Sequence, residues 1–253
     1  MKVAFVGKGG AGKSAIAGTF ARALARRGTA VLAVDSDPLP GLALSIGLES
    51  DEAPIPDDAV VERQQGEEGP RFRLRPGLEA AEAVERYAVT GPDGVRFLQF
   101  GKAREGGPQL FRSQLAFLQI VRKLPTESWN VIGDLPGGTR QAFTGWGSFA
   151  ETVLIVVEPT AQSMLSGRRL ARMAELDEGP QRVVAVVSKA REPGDAELVS
   201  RRTGLEVVAT IPWDEALADA ERKGLAPIDA APHCPAVEAV QSLTDVLVEE
   251  MVR

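Results

Sequence analysis

One short stretch constrains this chain more than any other. Gly7-Lys8-Gly9-Gly10-Ala11-Gly12-Lys13-Ser14 satisfies GxxxxGK[ST], directly follows the apolar run Val3-Ala4-Phe5-Val6 and directly opens a helical pattern. Strand, glycine-rich turn and helix, in that order, is the context in which the pattern carries chemistry. The glycines let the backbone curl so that several N–H groups converge on phosphate oxygens, and the helix start adds the positive end of its dipole. Gly9, Gly10, Ala11 and Gly12, with Lys13, Ser14 and Ala15, form the expected cradle. In such a loop Lys13 contacts the β- and γ-phosphates and Ser14 ligates Mg²⁺. The bland alternative, a tight turn with chance lysines, is disfavoured by the flanking strand and helix.

The rest of the chain alternates strand and helix. Residues 2–6 and 30–35 read as apolar strands, and residues 14–27 as a helix whose stripe is Ile16, Phe20, Ala21, Ala23 and Leu24, ended by Gly28. Residues 49–76, rich in charge, Gly and Pro, read as a long surface excursion. A short helix is expected over 79–87, a strand over 95–100 and a helix over 109–123. Strands follow at 131–135, 152–157, 182–187 and 207–211, with a helix over 163–175 and a last one over 235–251. Continuous apolar strands separated by helices predict a doubly wound, mostly parallel α/β sheet over residues 1–253 as one domain, with ligands at the strands' carboxyl ends. The 253 residues, 44% of them hydrophobic, are enough for one sizeable core.

Asp35-Ser36-Asp37-Pro38 ends the second strand, Asp134-Leu135-Pro136-Gly137-Gly138 ends the strand VIGDL, and Ser188-Lys189 and Pro212-Trp213-Asp214 follow late strands. With the second lysine, Lys8, these segments resemble the deviant Walker A ATPases of the MinD/ParA/nitrogenase-iron-protein group, which carry the P-loop fold. That resemblance implies an ATPase using ATP and Mg²⁺ and working as an ATP-dependent homodimer. By it, Lys8 reaches the partner subunit's nucleotide, Asp37 orients the attacking water, and Asp35 lies close to the magnesium shell. Asp134 holds magnesium through water, and the glycines after it let the backbone move when the γ-phosphate leaves. Ser188, Lys189, Pro212, Trp213 and Asp214 would read the base, although similar loops at strand ends are common. Catalytic roles thus fall on Lys8, Lys13 and Asp37, and metal roles on Ser14, Asp35 and Asp134.

Within that group the chain is most similar to the CooC-like nickel-insertion ATPases of carbon monoxide dehydrogenase maturation. The similarity runs from RFRLRPGLEAAEAVERYAV and GVRFLQFGKAREGG through SWNVIGDLPGG to TVLIVVEPTAQSMLSGRRLARMA. It implies a maturation or chaperone-like ATPase acting on a client enzyme. Three departures stand out. Ser188 replaces the family's asparagine, and Ala15 replaces a second hydroxyl for the α-phosphate. The family's Cys-x-Cys pair is absent, its stretch here reading Gly106-Gly107-Pro108-Gln109-Leu110-Phe111. A single cysteine, Cys234, beside the single His233, makes half a metal site at best.

A positioning ATPase bound to DNA, membrane or a protein cargo is the competing reading. The net charge of -6 argues against nonspecific binding to anionic surfaces. No stretch approaches membrane-spanning length, and the terminal helix carries Glu249 and Glu250, so a soluble, cytoplasmic protein is expected. Arg168, Arg169 and Arg172, or Arg201 and Arg202, are either a basic patch or ordinary solvated helix faces.

Overall fold

A computed structural model of the chain describes residues 1–36, 41–49, 55–68, 71–99, 107–124, 128–137, 143, 147–175 and 179–252, with residues 57, 107–114, 251 and 252 described by backbone alone. Asp37, Gly138 and Gly106 fall outside the described residues, as do the side chains of residues 107–111.

Eight strands form one sheet. They are β1 (Lys2–Gly7), β2 (Val31–Asp35), β5 (Val89–Thr90), β6 (Arg96–Gln99), β7 (Asn130–Pro136), β8 (Thr152–Val157), β9 (Arg182–Ala190) and β10 (Val207–Pro212). The order is β10-β9-β8-β1-β7-β2-β6-β5, parallel throughout except for the β5–β6 edge pair. β1 lies between β7 and β8, so the loop after it opens near the point where the strand order reverses.

Strand residues alternate between two cores. Ala4, Val6, Leu32 and Val34 face one side, and Val3, Phe5, Val31 and Ala33 the other. The first core is closed by α4 (Gly107–Lys123) and α5 (Ala161–Ala174). The second is closed by α1 (Lys13–Ala25) and α9 (Pro235–Val252). Ile16, Phe20 and Leu24 of α1 and Val240, Leu243 and Leu247 of α9 are buried there. Phe5 and Phe20 meet edge to face with ring centroids 5.5 Å apart. Burying both faces explains why these strands read as unbroken apolar runs. The helix expected over 14–27 ends at Ala25, and Gly28 then takes a left-handed φ of 79°.

Five further helices are described: α2 (Leu42–Ser45), α3 (Ala80–Tyr87), α6 (Asp195–Thr203), α7 (Glu215–Arg222) and a short α8 (Pro227–Ala230) that precedes α9. Sequence periodicity did not single out α6 or α7, which are short and mostly polar. The stretch 49–76 is less superficial than its composition suggests. It contains the antiparallel hairpin of β3 (Val60–Glu62) and β4 (Phe72–Leu74), and Ile55, Ala59, Val60 and Leu74 are buried in the first core. Gln119 of α4 clamps the hairpin, accepting from the Leu74 N–H and donating to the Phe72 carbonyl, each at 2.8 Å.

At the far end of α1, the Arg22 guanidinium is 2% exposed and fully engaged. It donates to the Ile46 carbonyl and to the carboxylates of Asp93 and Asp229. A charge this buried is tolerable only with such partners. No helix among the described residues is long and apolar enough to cross a membrane.

Candidate nucleotide site

The functional residues collect at the carboxyl ends of β1, β2, β7, β9 and β10. At the loop after β1, Gly10 and Gly12 have φ of 84° and 80°, a left-handed backbone that glycine adopts without strain. Gly12 is the N-terminal cap of α1 and has no side chain with which to occupy the space before the helix. The Ala11 N–H donates to the Lys8 carbonyl at 3.1 Å and closes the turn. The exposed Gly9 has no atom within 4 Å of where a Cβ would stand, while Ala11 and Ala15 are buried.

Asp134 is the anchor. It is fully buried, and Cα register sets it beside Phe5 on one side and Asp35 on the other. The Lys13 ammonium lies 2.8 Å from Asp134 Oδ1, and the Ser14 hydroxyl donates to Oδ2 at 2.5 Å. Asp35, 1% exposed, accepts from the Leu42 N–H at 3.1 Å and so fixes the start of α2. The Ser36 N–H donates to the Asp134 carbonyl at 3.1 Å, tying the strand ends together. Two carboxylates buried on neighbouring strands require positive charge close by. Lys13 supplies one. A serine hydroxyl against a carboxylate is also the hard oxygen pair that suits Mg²⁺, which binds through one or two protein oxygens plus phosphates and waters. The residues present therefore fit a magnesium nucleotide.

Gly137 closes this end for a reason the sequence did not disclose. A Cβ there would stand 1.8 Å from the Gly7 carbonyl oxygen. The segment after Asp134 is pressed against the backbone of the glycine-rich loop, and only glycine allows that approach.

Lys8 points away from this cluster. Its ammonium donates to Gln162 Oε1 at 2.8 Å, in the first turn of α5. Thr160 caps that helix by accepting from the Ser163 N–H, and the Ser163 hydroxyl accepts from the Glu158 N–H at 2.9 Å. Gln162 is thereby presented on an ordered turn.

The other end is a cleft of about 350 Å³ between the loop and the ends of β9 and β10. Gly12, Ala15, Ser188, Lys189, Pro212, Trp213 and Asp214 all line it, which brings the expected base-side residues together with the phosphate loop. Ser188 is buried, and its hydroxyl stands 3.2 Å from where a Cβ on Gly12 would be. Two of these residues have structural duties that the sequence did not suggest. Lys189, with φ of 57°, donates from its ammonium to the Gly10 carbonyl and pairs with Glu158 at 3.0 Å. Asp214 caps α7, Oδ1 accepting from the Ala216 and Leu217 N–H groups, and Oδ2 lies 3.4 Å from the Ala236 N–H at the start of α9. Trp213 is left to offer a face: Arg191 stacks on its ring at 4.6 Å. Gln162 and Glu158 were absent from the sequence reading. Neither belongs to a local motif, and their partners lie far away in the chain.

Cys234 is half-buried next to α9, and burial pushes its thiol up, with the nearby Asp214 carboxylate adding to the shift. His233 is exposed.

Comparison with known proteins agrees with this architecture. The chain is 30% identical over 235 residues to an ATP-binding protein of Methanocaldococcus jannaschii, covering 88% of this chain and 90% of that one. It is 29% identical over 245 residues to the carbon monoxide dehydrogenase accessory protein CooC of Rhodospirillum rubrum, covering 92% of each. The fold is shared with the septum site-determining protein MinD of Pyrococcus horikoshii, solved with Mg-ADP, at a TM-score of 0.74 and 16% identity over 97% of this chain and 94% of that one. The family model of the CobQ/CobB/MinD/ParA nucleotide binding domain matches residues 3–228, and this chain, whose loop, strand-end carboxylates and sheet order follow that plan, belongs to that family.

Proposed function

We propose that the chain is a Mg-ATP-dependent switch that hydrolyses ATP, closes into a homodimer around the nucleotide and acts on a client protein as a maturation ATPase. The convergence of Lys13 and Ser14 on the buried Asp134 carries the hydrolytic reading. Arriving phosphate must compete with Asp134 for the Lys13 ammonium. Once that pair opens, Lys13 neutralises the β- and γ-phosphates, and Asp134 and Ser14 are left as oxygen donors. Ser14 and Asp134, with Asp35 nearby, would hold magnesium, which would supply further positive charge to the same oxygens. Asp37 would accept a hydrogen bond from the water that attacks the γ-phosphorus as the bond to ADP breaks. Ser188, Pro212 and Trp213 would wall the base, with Lys189 and Asp214 bracing that wall.

Lys8 supports dimerisation. It is exposed, contacts Gln162 and does not join Asp134, so a partner's nucleotide is a chemically sensible target for its charge. The client reading rests on the similarity to CooC across nearly the whole chain. The nickel chemistry of such a role does not carry over, because the Cys-x-Cys pair is missing from the sequence. Membrane anchoring through the last helix is disfavoured: its apolar residues Val240, Leu243 and Leu247 are buried against the sheet, and Glu250 is paired with Arg182.

The test uses two variants. Lys13→Ala should lower ATP turnover by on the order of 10²-fold or more. Asp37→Ala in saturating Mg-ATP should accumulate dimer by light scattering, and a further Lys8→Ala should return it to monomer. A monomeric mass for Asp37→Ala under those conditions would refute the dimer model and leave the hydrolase reading standing.

A further inference from the structure

On the opposite side of the first core, α5 carries Arg168 and Arg172 one turn apart, and the last turn of α6 carries Arg201 and Arg202. The two helices pack together, and all four arginines line one groove of about 510 Å³. Among its lining residues Ala174 and Leu205 are buried, and the half-buried Ala171 and Val183 give it a small apolar surface between the arginines. One carboxylate, Glu175, joins the rim.

Among the described residues, none of the four arginines has an ion-pair partner, whereas Arg22, Arg26, Arg96 and Arg182 are each paired. That contrast matters in a chain where 35 acidic residues outnumber 29 basic ones. Like charges one helical turn apart are mildly destabilising. Helix dipoles account for a cation in the last turn of α5 and of α6, but not for Arg168 or for the convergence of both helices' arginines on one groove.

We propose that this groove docks an acidic protein segment that carries an apolar side chain between its carboxylates. Guanidinium forks pair carboxylates with two parallel hydrogen bonds, and the small apolar surface offers burial to the intervening side chain. A nucleic acid fits less well. A long polyanion would extend beyond the groove over a surface of net negative charge, while a short acidic segment engages only the arginines. Arg172 lies about 15 Å along the α5 axis from Gln162, so the occupant and a nucleotide do not compete for space.

The experiment is fluorescence anisotropy of the full chain with a labelled peptide alternating Glu and Leu, set against a short DNA duplex. The peptide should bind, more weakly as salt rises. Arg168→Ala/Arg172→Ala and Arg201→Ala/Arg202→Ala should each weaken it by about tenfold, with unchanged ATP turnover in the absence of peptide. Exchanging the peptide's Leu for Ser should also weaken it. Should a double variant unfold, Arg168→Lys/Arg172→Lys keeps the charge and loses only the fork, and partial loss is expected. Unchanged peptide affinity in the variants, no peptide binding to the wild type, or duplex binding in place of peptide binding would overturn the proposal.

Discussion

At the phosphate end of the cleft, Lys13 and Ser14 of α1 make short contacts to the Asp134 carboxylate, and Asp35 stands beside it at the end of the neighbouring strand. At the other end the work is divided. Trp213 is partly exposed with Arg191 stacked on its ring, Lys189 is drawn back to the loop by the Gly10 carbonyl and Glu158, and Asp214 spends its carboxylate on helix ends. The first end is specified by charge and backbone curvature and tolerates little change. The second is a wall built by packing and capping, where several residue types can serve. This difference is consistent with two of the three departures from the pattern the chain resembles, Ala15 and Ser188, lining the cleft outside the Asp134 cluster.

The sharpest way to break that comparison is steric. Gly137→Ala places a Cβ 1.8 Å from the Gly7 carbonyl oxygen, and relief requires backbone movement of the loop itself. Because displacement by about 1 Å can cost on the order of 10² in rate, turnover should fall by that order. The melting temperature should fall too, whereas Gly9→Ala, whose Cβ meets nothing within 4 Å, should leave it unchanged. Normal turnover in Gly137→Ala would mean the loop end is not tightly specified.

The wall end should respond in stability before function. Asp214→Ala removes the acceptor for the Ala216 and Leu217 N–H groups. Losing a helix cap costs about 1 kcal/mol, a fall in melting temperature of about 2–4 °C for a chain of this size. ATP affinity should change less than tenfold. A larger change in affinity with no change in melting temperature would show that Asp214 meets the base directly.

The same division governs what was legible in the sequence. The loop end is encoded locally: a glycine pattern, a strand before it, a helix after it, and aspartates at strand ends. Lys13 and Ser14 could be named because the loop's chemistry fixes residue type and spacing together, and Asp35 and Asp134 because their strand-end segments resemble those of the MinD/ParA group. The sheet followed for a similar reason, since strands buried on both faces leave unbroken apolar runs. Gln162, Glu158 and the capping role of Asp214 were hidden, because each depends on a partner more than a helix away or on a helix too short and polar to register. Gly137 was visible as a glycine, but its reason, contact with Gly7, exists only once β1 and β7 pair. The hairpin of β3 and β4 was obscured by charged and turn-forming neighbours that dominate the composition of residues 49–76.

The smallest expected effect is the most informative about where the two ends meet. Ala15 is 1% exposed, lies in the first turns of α1 and lines the cleft beside Gly12 and Ser188. The family resemblance implies a hydroxyl at this position for the α-phosphate, and Ala15→Ser would supply one. Without a phosphate to bond, the hydroxyl can donate to the Gly12 carbonyl three residues back, at the start of α1, so the free protein should keep its melting temperature. With nucleotide, one extra hydrogen bond is worth about 1 kcal/mol, or roughly fivefold in affinity. Titration of ADP by calorimetry measures this directly, since ADP carries the α-phosphate and lacks the γ-phosphate that Lys13 and Asp37 would address. A lowered melting temperature with unchanged ADP affinity would mean that the hydroxyl is buried without a partner. The α-phosphate would then lie outside the reach of Ala15, and the boundary between the strictly specified end and the tolerant wall would fall at Ser14.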